Sequence, residues 1–243
     1  MQVRVQHYAD INSLIRRHPS FRFIKNFIYP ATAERRWKRD AGKSTSYDAQ
    51  VIFIGKSGYG KSSLINAIIG KNVMKTSHVE ACTLVGQCCE YFIRKGNHLS
   101  FTDVPGVGES EVNDKKYIAM YELFVGKSDV VVYVLRADTR DYSIDIAAFE
   151  EISSLSEAVG AQRVMIALNC CDKIEPLPPR NFLHISNEQR KAIDQKVRSV
   201  KRKFPGLRAV VPCSAALSWN IDLLAENIAV VLADSTGFIP ILS

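Results

Sequence analysis

Four short polar clusters, each at the end of an apolar run, carry the residue types for chemistry in this chain. The first is Gly55-Lys56-Ser57-Gly58-Tyr59-Gly60-Lys61-Ser62-Ser63, set between Val51-Ile52-Phe53-Ile54 and the helix-like Leu64-Ile65-Asn66-Ala67-Ile68-Ile69. Its spacing, Gly-x4-Gly-Lys-Ser, lets the backbone turn its amides inward around a polyphosphate. The start of the following helix adds its partial positive charge. In such a loop Ser57 to Ser63 wrap the phosphates, Lys61 reaches the β- and γ-phosphates, and the Ser62 hydroxyl ligates Mg2+. A plain glycine-rich turn has no need of a strand before it and a helix after it, so this is the strongest signal in the chain.

The second cluster, Asp103-Val104-Pro105-Gly106, ends the run Leu99-Ser100-Phe101-Thr102. Asp103 would hold Mg2+ through water, and the Gly106 amide would touch a γ-phosphate. A segment tethered only by that terminal phosphate is released on hydrolysis. The third, Asn169-Cys170-Cys171-Asp172-Lys173, follows Val164-Met165-Ile166-Ala167-Leu168. Asp172 there would accept both hydrogen bonds from the guanine N1–H and exocyclic amine, which adenine does not offer. Asn169 would brace the neighbouring loops and contact the base edge. The fourth, Pro212-Cys213-Ser214-Ala215-Ala216, would turn a backbone amide at Ser214 or Ala215 toward the guanine carbonyl oxygen. Asp-x-x-Gly and Ser-Ala are each weak, since an ordinary turn explains either. Their order behind the phosphate loop gives the set its weight.

These clusters have to be held at one end of one sheet. Apolar runs at 51–54, 130–135, 164–168 and 207–211 have the continuous character of strands buried on both faces. Segments near 85–93 and 98–104 read as a pair joined by Lys95-Gly96-Asn97. Helical patterns fall near 61–70, 114–127, 143–158, 187–204 and 220–233. Strands alternating with helices predict an α/β fold, with a mostly parallel sheet and helices on both faces. Ligands in such folds bind beyond the carboxyl ends of the strands.

The chain has 243 residues, 47% hydrophobic and 23% charged, enough for one domain and an appendage and unlike a disordered or disulfide-stapled protein. Its six cysteines show no Cys-x-x-Cys spacing and read as reduced thiols. No run reaches the roughly 18 apolar residues of a membrane-spanning helix, and the first residues lack a signal-peptide core. A cytoplasmic protein is expected, with peripheral membrane association left open. Residues 1–47 hold ten Lys or Arg against Asp10, Glu34 and Asp40, whereas the remainder carries 22 charges of each sign. The positive charge therefore belongs to a basic N-terminal extension, 1–47, and not to the body, 48–243. Within the extension, Phe21, Ile24, Phe27 and Ile28 would share a helical face fenced by Pro19 and Pro30, and 34–47 reads as a connector. The basic segment would bind ribosomal RNA or an anionic membrane surface, or else pack its aromatic face on the body.

With the four clusters in place, the chain resembles a translation-factor-class GTPase of the Era/TrmE-like superfamily, most of all its YfjP-type bacterial branch. The residues that carry the resemblance are GKSGYGKSSLINAIIG at 55–70, FTDVPGVGES at 101–110, VLRADTRDYSIDIAAFEE at 134–151, NCCDKIEP at 169–176 and CSAALSWNIDLL at 213–224. It implies a Ras-like G domain with a six-stranded sheet, one strand antiparallel, behind a short N-terminal helical extension. It also implies Thr83 as the switch threonine on Mg2+, beside Ser62 and Asp103, with Thr76 and Ser77 as rival positions. Lys61, Thr83 and Gly106 would then serve the reaction.

Three positions depart from the family pattern. Val107 follows Gly106 where many small GTPases have a water-orienting glutamine, so slow intrinsic hydrolysis is expected, with help from a partner, a second copy or Glu109. Gly58 stands where potassium-stimulated members carry asparagine, so little preference for K+ over Na+ is expected. Cys170 stands where a lysine stem packs on the purine, and Lys173 would compensate in part. The expectation is a switch that binds GTP and GDP and hydrolyses GTP with Mg2+. The alternative is a nucleotide-gated assembly module, ribosome- or membrane-associated, in which GTP drives homodimerisation through the G-domain face and hydrolysis is incidental.

Overall fold

The computed structural model describes residues 4–26, 38–41, 44–76, 86–94, 97–105, 124–157, 163–177 and 184–235. In chain order the elements are β1 (Arg4–Asp10), α1 (Ile11–Arg17), a 3-10 segment (Pro19–Asn26), β2 (Lys38–Ala41), β3 (Ser44–Ile54) and α2 (Lys61–Ile69). There follow β4 (Gln87–Arg94), β5 (Asn97–Asp103), β6 (Val130–Arg136), α3 (Ser143–Glu157), β7 (Val164–Asn169), α4 (Asn187–Lys203), β8 (Val210–Pro212) and α5 (Ile221–Ser235). The sheet order is β1-β4-β5-β3-β6-β7-β8, with β2 paired to β3 off that path. β5, β3, β6, β7 and β8 are mutually parallel, and β4 runs antiparallel to β5. This is the Ras-like α/β architecture, built around β3 and β6, whose apolar residues are almost wholly shielded from water.

The two faces are covered by different sets of side chains. Phe53 and Phe101 share one face, where Phe21 of the 3-10 segment meets Phe101 edge-on at 6.1 Å. Tyr133 of β6 points to the other, where it packs on Phe149 of α3 and Phe204 beyond α4. On the first face α2, α5 and the N-terminal segment lie together, and Ile11, Leu14, Ile15, Phe21 and Ile24 all belong to the core. Phe21 and Ile24 are three apart, the spacing that a 3-10 turn brings to one side. Phe27 and Ile28, expected beside them, lie outside the described residues.

Two stretches differ from expectation. Residues 4–10 form a strand ahead of the short helix, so the sheet gains a seventh member, parallel to β4 with Arg4 opposite Gln87 and Asp10 opposite Phe92. The outer edge of β4 presents unpaired amides and carbonyls, and a partly buried strand satisfies them. Within the expected connector, Lys38–Ala41 pairs antiparallel with Ser44–Tyr47, so β3 begins well before its apolar run. Alternating Thr45 and Tyr47 suit a strand, a signal masked by the neighbouring serines. Most of the expected helix at 114–127 lies outside the described residues.

Candidate functional site

The carboxyl ends of β3, β5, β7 and β8 bring the four clusters to one end of the sheet. Two glycines fix the phosphate loop. Gly55, at φ +134°, leaves β3 so close to β6 that a Cβ would lie 2.5 Å from the Val134 carbonyl oxygen. Gly60, at φ +87°, would place a Cβ 2.5 Å from Asn169 Nδ2. Both need the left-handed freedom of glycine and its lack of a side chain. Lys61 opens α2, and its buried Nζ donates to the carbonyl oxygens of Gly55 at 3.0 Å and Lys56 at 3.1 Å, bridging the loop from inside.

A buried carboxylate that sequence reasoning gave no role supports the loop from behind. The Tyr59 hydroxyl donates to Asp145 Oδ2 at 3.1 Å, and Lys56 Nζ lies 3.4 Å from the same oxygen. The Tyr133 hydroxyl reaches Oδ1 at 3.4 Å. Burial pushes the Asp145 carboxyl above its ordinary range, against the pull of Lys56 and the hydroxyls. Burial first, then Asp145, pushes the Tyr59 hydroxyl up to about 12. Tyr59 thus holds the loop through its hydroxyl, while its neighbours Gly58 and Gly60 line the cavity.

Ser62 and Asp103 meet across the loop, the Ser62 hydroxyl donating to Asp103 Oδ2. Asp103 is fully buried, and burial raises its pKa, opposed by Lys61 and Ser62. Its Oδ1 has no hydrogen-bond partner among the described residues. An orphaned carboxylate oxygen beside a hydroxyl at a helix start fits a hard divalent cation. No group of three or more His, Cys, Asp or Glu side chains is gathered for a metal among the described residues. Two protein oxygens with water and phosphate completing the shell suit Mg2+. Thr83, Gly106 and Val107 lie outside the described residues, as does Ser77, whereas Thr76 lines the cavity.

Asn169 ties the phosphate loop to the base-side loops. Its Nδ2 donates to the Tyr59 carbonyl at 3.0 Å, and its Oδ1 accepts from the Ala215 amide at 3.1 Å. The Ser214 hydroxyl donates to Asp172 Oδ1 at 2.6 Å, which orients that carboxylate. The amides of Ser214 and Ala215 are engaged by the Trp219 carbonyl and by Asn169 respectively. Gln189 was not anticipated: buried in the first turn of α4, it donates to the carbonyls of Asp172 at 3.3 Å and Ile174 at 2.9 Å. Its signal was present as the capping box that Ser186 and Gln189 form. Gly58, Ser63, Asn169, Asp172, Lys173 and Ala215 line one cavity of about 750 Å3. Ser57 is exposed on the phosphate loop.

A phosphate loop after the central strand, with an Asn-x-x-Asp turn and a Ser-Ala turn after neighbouring strands, defines a guanine-nucleotide-binding P-loop domain. The family model described as "50S ribosome-binding GTPase" matches residues 50–170. YfjP of Escherichia coli K12, described as an uncharacterized protein, is 30% identical over 199 residues, 82% of this chain and 67% of that one. GTPase Era of Aquifex aeolicus is 25% identical over 194 residues, 78% of this chain and 58% of Era. Among solved structures, a dimerization-deficient mutant of Toc33 from Arabidopsis thaliana superposes with a TM-score of 0.60 at 19% identity, covering 92% and 91% of the two chains. The chain belongs to the Era-like P-loop GTPases.

Proposed function

We propose that the chain is a guanine-nucleotide switch that binds GTP and GDP and hydrolyses GTP slowly with Mg2+. The observation that carries this is Asn169, one side chain holding both the phosphate loop and the base-side turn, with Asp172 oriented beside it by Ser214. Asp172 would accept from the guanine N1–H and amine, selecting guanine over adenine. Ser57 to Ser63 would wrap the phosphates, with Lys61 leaving its loop carbonyls for the β- and γ-phosphates. Ser62, Asp103 and the switch threonine, Thr83, would hold Mg2+, which supplies charge stabilisation on the phosphates. Water would bond to the γ-phosphorus as the bond to the β–γ bridging oxygen breaks, releasing GDP and phosphate. The Gly106 amide would sense the γ-phosphate. Val107 has no group to orient the water, which supports slow turnover.

Two further readings concern partners. Toc33 is a chloroplast translocon component whose dimerization is important for its GTPase activity. That likeness, with Val107, supports activation by a second copy across the G-domain face. Era has been solved with MgGDPNP and nucleotides 1506–1542 of 16S ribosomal RNA, and the basic residues of 1–47 make RNA the partner to test ahead of an anionic membrane. No helix among the described residues is long and apolar enough to cross a membrane.

Calorimetric titration with GTP, GDP and ATP in Mg2+, followed by turnover at several protein concentrations, tests the reading. Guanine-selective binding with slow turnover is expected, and equal binding of ATP would refute it. Turnover per molecule that rises with concentration would select the dimer.

A further inference from the structure

The nucleoside end of the cavity has an unexpected wall. It is bounded by Gly70, Lys71 and Asn72 after α2, by Cys170, Asp172 and Lys173, and by Ala215, Ala216 and Ser218. No aromatic ring lines it among the described residues. A purine in a protein site is ordinarily held on a flat, polarisable surface, and an arginine guanidinium serves as well as a ring. Two arginines line the cavity, Arg17 and Arg136. Arg136 is committed, its Nε and Nη2 bonding Asp138 at 2.9 and 2.6 Å.

Arg17 comes from the last turn of α1, far from the four sequence clusters. Its Nη2 donates to the Ala67 carbonyl at 3.2 Å, in the last turn of α2. Its guanidinium lies over Gly70, where a Cβ would stand 2.6 Å from Nη1 and 2.8 Å from Cζ. The adjacent His18 anchors the same place, with Nε2 2.9 Å from the Ile68 carbonyl oxygen and Nδ1 3.0 Å from Asp222 Oδ1 at the start of α5. Arg17 and His18 therefore close the carboxyl end of the phosphate-loop helix. A cation there is favoured by the helix dipole. The guanidinium donates to the Ala67 carbonyl and covers Gly70, and Arg17 lines the same cavity as Cys170 and Asp172.

We propose that Arg17 is a purine-stacking residue of the nucleotide site, supplied by the N-terminal segment. This inference rests on the guanine-nucleotide reading above and adds a residue and a chain segment to that site. Stacking depends on the base and is indifferent to the number of phosphates, which separates it from a general electrostatic role.

The test is titration of the whole chain with GDP and GTP in Mg2+, in the wild type, Arg17→Ala, Arg17→Lys and Arg16→Ala. Lysine keeps the positive charge at the end of α2 but has no plane, so it separates stacking from the charge effect on the helix dipole. The expected result is a loss of roughly ten-fold in both Arg17 variants, equal for GDP and GTP. Arg16, exposed on the same helix and outside the cavity, should leave affinity unchanged. Wild-type affinity in Arg17→Lys, or a loss confined to GTP, overturns the proposal, as does unchanged affinity in Arg17→Ala. A wild type without guanine preference would instead refute the underlying reading. Thermal melting of each variant in the absence of nucleotide confirms that a folded chain is being titrated.

Discussion

Asp145 offers the sharpest perturbation, because two substitutions there should behave differently. Alanine removes the carboxylate that accepts from the buried Tyr59 hydroxyl, whereas the Tyr133 hydroxyl keeps the Asp145 backbone carbonyl at 3.3 Å. With the Tyr59 hydroxyl left buried and unpaired, the folded state should lose roughly 1–3 kcal/mol. The ion pair of Asp145 with Lys56 is lost in both variants and does not separate them. Asparagine keeps an oxygen for the hydroxyls and gives up only the charge. The Asp145 pKa is raised by burial, so the carboxylate contributes stability below its unfolded pKa that is lost as pH rises through the folded value. Removing the charge recovers that loss at neutral pH and offsets the missing Lys56 contact, leaving a change within about 1 kcal/mol. Urea unfolding at pH 7 without nucleotide, followed through the tryptophans, reads both values. Equal destabilisation by alanine and asparagine would show that the charge, not the hydroxyl hydrogen bonds, holds the loop. A double-mutant cycle with Tyr59→Phe should give a coupling of about 1 kcal/mol, and strict additivity would refute the link from Asp145 to the phosphate loop.

Asp172→Asn should shift preference from guanine toward xanthine nucleotides, and Ser214→Ala should weaken GDP binding roughly ten-fold by freeing the carboxylate, both read by competition titration. Asp103→Asn should make GTP affinity nearly insensitive to Mg2+, with a drop on the order of ten-fold in excess Mg2+; a retained Mg2+ dependence would remove Asp103 from the metal site. Burial lowers the His18 pKa below 6.5, outweighing the Ile68 carbonyl and Asp222, with Arg17 acting in the same direction as burial. The unfolded chain then takes up the proton first, so stability present above pH 6.5 is lost as pH falls below it. Thermal melts between pH 7.5 and 5.5 should show this slope, and His18→Gln should flatten it.

Much of this was legible in the sequence. The buried strands announce themselves because shielding on both faces removes polar alternation, and the phosphate loop because its glycines are a geometric necessity. The places of Asn169 at the end of β7 and Asp172 just beyond it follow from the apolar run before them. Asp145 and Arg17 were not legible, because their meaning lies in partners tens of residues away: Tyr59 for one, Ala67 and Gly70 for the other. Nor was β1, whose Val5, Gln6, His7 and Ala9 are all only half-buried, so burial imposes no clean two-residue period on them.

The pairing of β1 with β4 joins Arg4 to Gln87, so β1 finds its place only after more than eighty further residues have emerged. Long-range closure is slow, and an edge strand has one neighbour to hold it. β3 pairs with β5 and β6 and not with β1, and hydrogen exchange should find the β1 amides the first to open. Because α1 follows β1 directly, Arg17 and His18 reach the end of α2 at the same late stage. A nascent chain would thus form its phosphate cradle before the cavity wall to which Arg17 belongs, and nucleotide captured in that interval would act as a template for the docking of β1 and α1.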